Sequence, residues 1–272
     1  MRYFRLLWRI FLKLWTYWLF AVIMLALWLI FVWAVAAHSQ PLVRAGHACF
    51  ISYYDIETHN PALVVYQLEF SHFAGKAKVG TRHFKVDTKL PRPRVKDGDY
   101  TNTGFVRGHL CSAGDRDSDK AWLKETYLTS NMVPMTLVCN SGPWKMIEDS
   151  CRALAIAGHK LLIARGPLYN KAADLAANVI QTRVCITIPD GFFCFARCLD
   201  CGLRFSEWCR NARSGESVSV LQIDPGRTDN VLQHGCQGLE NVVQFRNDER
   251  VGVLLQNILG SWSREEYEII TH

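Results

Sequence analysis

Arg107 and His109, Asn140, Glu148 and Arg152 are the residues of this chain whose types and spacing could do phosphate chemistry together. Hydrolysis of a phosphodiester needs a base to activate water, a divalent cation to offset charge on the phosphate, and cationic side chains to hold it in line. Histidine suits the base because its ordinary pKa lies near neutrality. An amide oxygen and a carboxylate are hard ligands suited to Mg²⁺, and the planar arginine fork grips phosphate. Taken singly, each residue has a plainer reading. Glu148 and Arg152 could be a surface pair worth about 0.3–0.5 kcal/mol, Asn140 could be turn chemistry ahead of a helix, and a lone histidine could be structural.

Several elements must position these side chains. A helix is predicted over 142–158, with Ser141 as N-cap, Pro143 in the first turn and Gly158 at the end. It places Met146, Ile147, Cys151, Leu154 and Ala155 on a core face, with Glu148 and Arg152 together at its edge. Asn140 falls just before it, where backbone N–H groups and the helix dipole favour anions. Strand patterns occur at Ala62–Phe70, Lys160–Ala164, Arg183–Ile188 and Phe192–Ala196, and one or two helical turns at Asp119–Tyr127. Lys89–Asp99 is a proline-, glycine- and charge-rich loop. The pattern is α+β, with strands and helices interleaved outside a regular βαβ order.

The stretches FVRGHLCSAGD, TSNMVP and NSGPWKMIEDSCR resemble the DNA/RNA non-specific endonuclease family, which includes secreted bacterial nucleases and mitochondrial endonuclease G. The resemblance rests on Arg107-Gly108-His109, Asn131-Met132-Val133-Pro134, Asn140, Trp144 and Glu148. It extends upstream through THNPALVVYQLEF, FKVDTKLPRP and DYTNTGF, so it covers about His59 to Tyr169. It implies a ββα-metal (His-Me finger) core with a mixed or antiparallel sheet flanked by helices. It also implies one Mg²⁺, with Mn²⁺ as a substitute, DNA and RNA as substrates cut with little sequence preference, and 5′-phosphate products. Residue by residue, it makes His109 the general base and Asn140 the direct metal ligand. Glu148 orients metal-bound water, Arg107 and Arg152 contact phosphate, and Asn131 supports His109 or the metal's waters. The family includes dimers, so a homodimer is open. Departures from the family pattern are Val106 for an aspartate, Cys111 and Ser112 for a small residue and proline, and Met135 for glutamine. Loss of the aspartate could remove support for the metal site. That leaves a second reading, a catalytically inactive, membrane-tethered binding module for nucleic acid or protein on the same scaffold.

The chain has 272 residues and a net charge of +6. Arg2, Arg5, Arg9 and Lys13 precede an uncharged run of 24, Leu14–Ala37, and leave 27 basic against 25 acidic residues elsewhere. The body is therefore near neutral, and its overall charge announces no basic surface. At ~36 Å as a helix the uncharged run is expected to span a bilayer, and its flanking basic residues place the rest of the chain outside the cytoplasm. The expected organisation is a cytoplasmic segment 1–13, a signal anchor 14–37, a linker 38–45 and a nuclease domain 46–272. Cleavage of a signal peptide near Ala34–Ala37, giving a secreted form, is the alternative. All ten cysteines follow the run. Export favours disulfides, while the spacing of Cys194, Cys198, Cys201 and Cys209 leaves a zinc site open.

Overall fold

A computed structural model describes residues 2–37, 40–75, 77–78, 83–170, 175–212, 220–222 and 248–260. Cys236 and most of the last 50 residues lie outside these. The chain divides into two units, Met1–Pro41 and Leu42–His272.

The first unit contains helix α1, Arg2–Ala37. The expected membrane anchor is not sustained: no helix of the described residues is long and apolar enough to cross a membrane. The single-pass placement and the outward-facing catalytic domain that rested on this span are corrected with it, and the membrane partner is not supported.

In the second unit the chain runs β1 (Val43–Gly46), β2 (Ile51–Asp55), β3 (Asn60–Leu68), β4 (Val106–His109), α2 (Lys120–Glu125) and β5 (Met132–Met135). It continues through α3 (Leu137–Ser141), α4 (Pro143–Ile156), β6 (Leu161–Leu168), β7 (Val179–Gln181), β8 (Cys185–Thr187), β9 (Gly191–Cys198), β10 (Arg204–Arg210), β11 (Val220–Gln222) and α5 (Glu249–Leu259). Seven strands form one sheet in the order β1-β2-β3-β6-β9-β10-β11, every pairing antiparallel. Two small hairpins, β4-β5 and β7-β8, stand apart from it. The α+β expectation agrees with this arrangement.

The central strands β3, β6 and β9 are buried on both faces, which is why they read as near-continuous apolar runs. Val64, Tyr66, Ile163, Phe192 and Cys194 pack with Trp144, Ile147, Cys151 and Ala155 of α4 and with Leu110, Val133 and Met135 around the β4-β5 hairpin. The alternate residues Leu63, Val65, Ala164, Phe193 and Phe195 pack with Val251, Leu255 and Leu259 of α5. Helix α4 starts at Pro143, so Gly142 takes the N-cap place expected for Ser141. Its core stripe runs through Trp144 rather than Met146, which is exposed, because a residue beside Ile147 is turned about 100° away from it.

Nine of the ten cysteines are described, and all nine are free thiols. Two couples, Cys139 with Cys209 and Cys151 with Cys194, have sulfurs 3.8 Å apart. A disulfide bond is ~2.05 Å long. These four thiols are core groups, packed as small apolar side chains, and the expected disulfides are absent among the described residues.

Candidate active site

His109 ends β4 and faces Met132 across the hairpin, while Arg107 faces Pro134. The hairpin is drawn close at Gly108, where a Cβ would stand 2.7 Å from Met135 Cβ. The Arg-Gly-His order therefore has a local cause: the glycine admits Met135, and the alternation of the strand sends its neighbours elsewhere. Beyond the strand, Asn131 is wholly buried. Its Oδ1 accepts the Cys111 N–H at 2.7 Å, and its Nδ2 donates to the carbonyls of Cys111 (2.9 Å) and Thr126 (2.8 Å). The His109 carbonyl accepts the Trp144 indole N–H at 3.0 Å, tying the hairpin to α4. Its ring meets Tyr127 edge-on at 5.1 Å and lies 5.7 Å from Phe84.

A cleft of about 580 Å³ opens over this hairpin. Arg107, His109, Ser112, Asn140, Lys145, Glu148 and Arg152 line it, with Phe84 and Tyr127 among its apolar walls. Five of the six residues singled out in the sequence therefore converge. The sixth, Asn131, lies beneath the cleft and holds the chain that follows His109.

Arg107 is held by Asp97, with Nε 2.5 Å from its carboxylate, and its guanidinium lies near the Phe84 and Tyr100 rings. Val106 leaves Arg107 with no acid beside it in sequence, and Asp97 supplies one across the loop. Arg152 is more heavily engaged. It donates to Asp115 at 2.8 Å, Asp149 at 2.5 Å, and both Glu148 and the Ser112 hydroxyl at 3.1 Å. Ser112 also donates to Glu148 at 3.1 Å, so the serine that stands where the family pattern has proline binds two cleft residues.

Beneath these lies a charge network that the motif reading missed. Asp115 is fully buried and accepts the Tyr66 hydroxyl at 2.7 Å. Arg165, also fully buried, lies 3.8 Å from Asp115 and donates to the Leu110 carbonyl at 3.2 Å. The available signal was Arg165 itself, a charge inside the apolar strand LLIARGPL; such a residue is almost never fully buried unless paired. Burial pushes the Glu148 carboxyl above the ordinary carboxylate range, and Asp115 adds to this. Arg165, Arg152 and the Ser112 hydrogen bond oppose it.

The donor set fits a hard divalent cation. The Asn140 side-chain amide takes no hydrogen-bond partner among the described residues, and it shares the cleft with the largely buried Glu148 carboxylate. Among the described residues no thiol lines this cleft, so its chemistry favours an oxygen-binding metal over a soft one.

Residues 43–209 match the sequence model of the DNA/RNA non-specific endonuclease family, and the chain belongs to that family. It is 31% identical over 116 residues to the mitochondrial nuclease EXOG of Danio rerio, a match covering 42% of this chain and 34% of that protein. To the same nuclease of Homo sapiens it is 30% identical over 132 residues, covering 47% and 36%. To a nuclease of Nostoc sp. it is 36% identical over 99 residues, 36% of each chain. The matches thus span about a third of these curated relatives' length. Among solved structures, one titled as the EndoG/EndoGI complex superposes with a TM-score of 0.54 at 22% identity, over 69% of this chain and 82% of that one. That likeness bears on the fold alone.

Proposed function

We propose that the chain is a metal-dependent endonuclease that hydrolyses phosphodiester bonds of DNA and RNA with little sequence preference. The observation that carries this reading is the convergence of His109, Asn140, Glu148 and Arg107 on one cleft. Family membership and the nuclease relatives support it.

His109 acts as general base, taking a proton from the attacking water as its oxygen bonds to phosphorus. The P–O3′ bond then breaks, and the leaving 3′-oxygen takes a proton from a water molecule in the cleft, leaving 5′-phosphate and 3′-hydroxyl ends. Tyr127 and Phe84 pack against the imidazole and fix its plane, and Trp144 anchors the backbone behind it. Asn140 would hold the cation directly and Glu148 through water; Mg²⁺, or Mn²⁺ in its place, would there supply positive charge to offset that on the phosphate and the leaving oxygen. Arg107, steadied by Asp97, holds the phosphate. Arg152 is spoken for by carboxylates, so its main effect is to orient Glu148, with phosphate contact secondary.

Nicking of supercoiled plasmid and cleavage of an RNA, with Mg²⁺ or EDTA, test the reading. Both substrates are expected to be cut only with metal, and His109→Ala is expected to lower the rate by ~10²–10⁴-fold while circular dichroism stays unchanged. Cleavage that persists in EDTA, or that survives His109→Ala, would overturn it. No cleavage by folded, Mg²⁺-supplied protein would favour a binding module without catalysis.

A further inference from the structure

Cys194, Cys198, Cys201 and Cys209 do not gather into one site. Cys194 and Cys209 pack within the core; Cys198, also buried against it, ends β9, and the exposed Cys201 lies in the turn that leads to β10. His159, just past α4, joins these last two. The Cys198 Sγ lies 3.6 Å from His159 Nδ1, and the Cys201 Sγ lies 3.5 Å from the same nitrogen. All three potential ligand atoms fall within 4.8 Å of one another.

We propose that Cys198, Cys201 and His159 form a zinc site outside the catalytic cleft, with a fourth position open to solvent. In a tetrahedral shell with Zn–S of about 2.3 Å and Zn–N of about 2.0 Å, the sulfur-to-nitrogen edge is about 3.5 Å. The two observed separations match that edge. Two thiolates and an imidazole select zinc over the oxygen-binding cations suited to the cleft.

The turn is pinned to the segment carrying His159 by the Leu199 N–H, which donates to the Lys160 carbonyl at 2.8 Å, and it is closed on itself by the Cys198 N–H, which donates to the Leu203 carbonyl at 2.7 Å. A bound ion would therefore clamp the C-terminal end of α4, the helix of Glu148 and Arg152, to the β9-β10 hairpin.

The test is the zinc content of the full chain, purified reduced and without chelator, followed by Co²⁺ substitution. About one zinc per chain is expected. Co²⁺ should give tetrahedral visible bands and a thiolate charge-transfer band in the near ultraviolet. Cys201→Ser and His159→Gln should each lower zinc content at least ~10-fold and weaken the charge-transfer band. Cys185→Ser, an exposed thiol elsewhere, should leave both unchanged. The oxygen ligands of the cleft cannot give a thiolate band, so failure here is separate from failure of the nuclease reading. Zinc-free protein with no cobalt spectrum, zinc retained in both variants, or a Cys198–Cys201 disulfide by thiol titration would each overturn the proposal.

Discussion

Glu148 is the residue where the cleft's function and the chain's stability pull apart. Burial raises its pKa, so between its unfolded and folded values the folded protein holds a proton that the unfolded chain has lost. The stability tied to that proton is present at low pH and drains away as pH rises through the raised folded value. Glu148→Gln keeps acceptors for Ser112 and Arg152 but removes the buried charge. It is expected to abolish Mg²⁺-dependent cleavage while leaving the melting temperature in EDTA unchanged or higher at neutral and alkaline pH. A clear fall in that melting temperature would show that the ion pair with Arg152 outweighs the cost of burial. Ser112 shows how a departure from a family pattern is read at this scale, since its hydroxyl bonds both members of that pair.

The β4-β5 hairpin is an element with little stability of its own: four residues face four. It is held by what lies around it, namely Asn131 below, Trp144 from α4, and Met135 over Gly108. Asn131→Ala would leave the buried Cys111 amide and the carbonyls of Cys111 and Thr126 unpaired. A loss of about 2–4 kcal/mol is expected in urea unfolding, with cleavage reduced because the chain beyond His109 loosens. If activity falls with no change in stability, Asn131 acts in the chemistry itself rather than through position. Helix α4 carries two roles on adjoining faces. Trp144, Ile147, Cys151 and Ala155 bind it to the sheet, and the Glu148–Arg152 edge faces the cleft.

Across the whole second unit, polar ties join distant parts of the chain. His47 and Asp87 meet at 2.8 Å with both side chains buried, and the Asp87 N–H donates to the Thr129 hydroxyl at 3.1 Å. Burial alone would push Asp87 up, but hydrogen bonds from His47, Ser130 and the Lys89 amide hold it below the usual carboxylate range. The depressed value means that its stabilisation is present above the unfolded pKa and is lost as pH falls through the folded one. Asp87→Asn should therefore destabilise by about 1–3 kcal/mol at neutral pH, and the gap to the parent should close in acid. Unfolding midpoints across pH check this; a gap independent of pH would refute the assignment.

Sequence alone determined what local pattern can carry. The apolar runs of β3, β6 and β9 and the proline-led start of α4 were legible, because strand and helix periods are properties of neighbouring residues. The candidate set His109, Asn140, Glu148, Arg107 and Arg152 came from motif order between positions 107 and 152, and the fold brings its members to one cleft. Tertiary structure decided the rest. It joined Asp115 to Arg165 across 50 positions, put Asn131 beneath the cleft rather than in it, and turned Met146 outward. It also parted four closely spaced cysteines, bringing only Cys198 and Cys201 to His159. The physical reason is common to all of these. Which charge is buried, which thiols meet and which apolar residue finds the core depend on elements brought together across the sheet, and spacing along a chain holds no record of that distance.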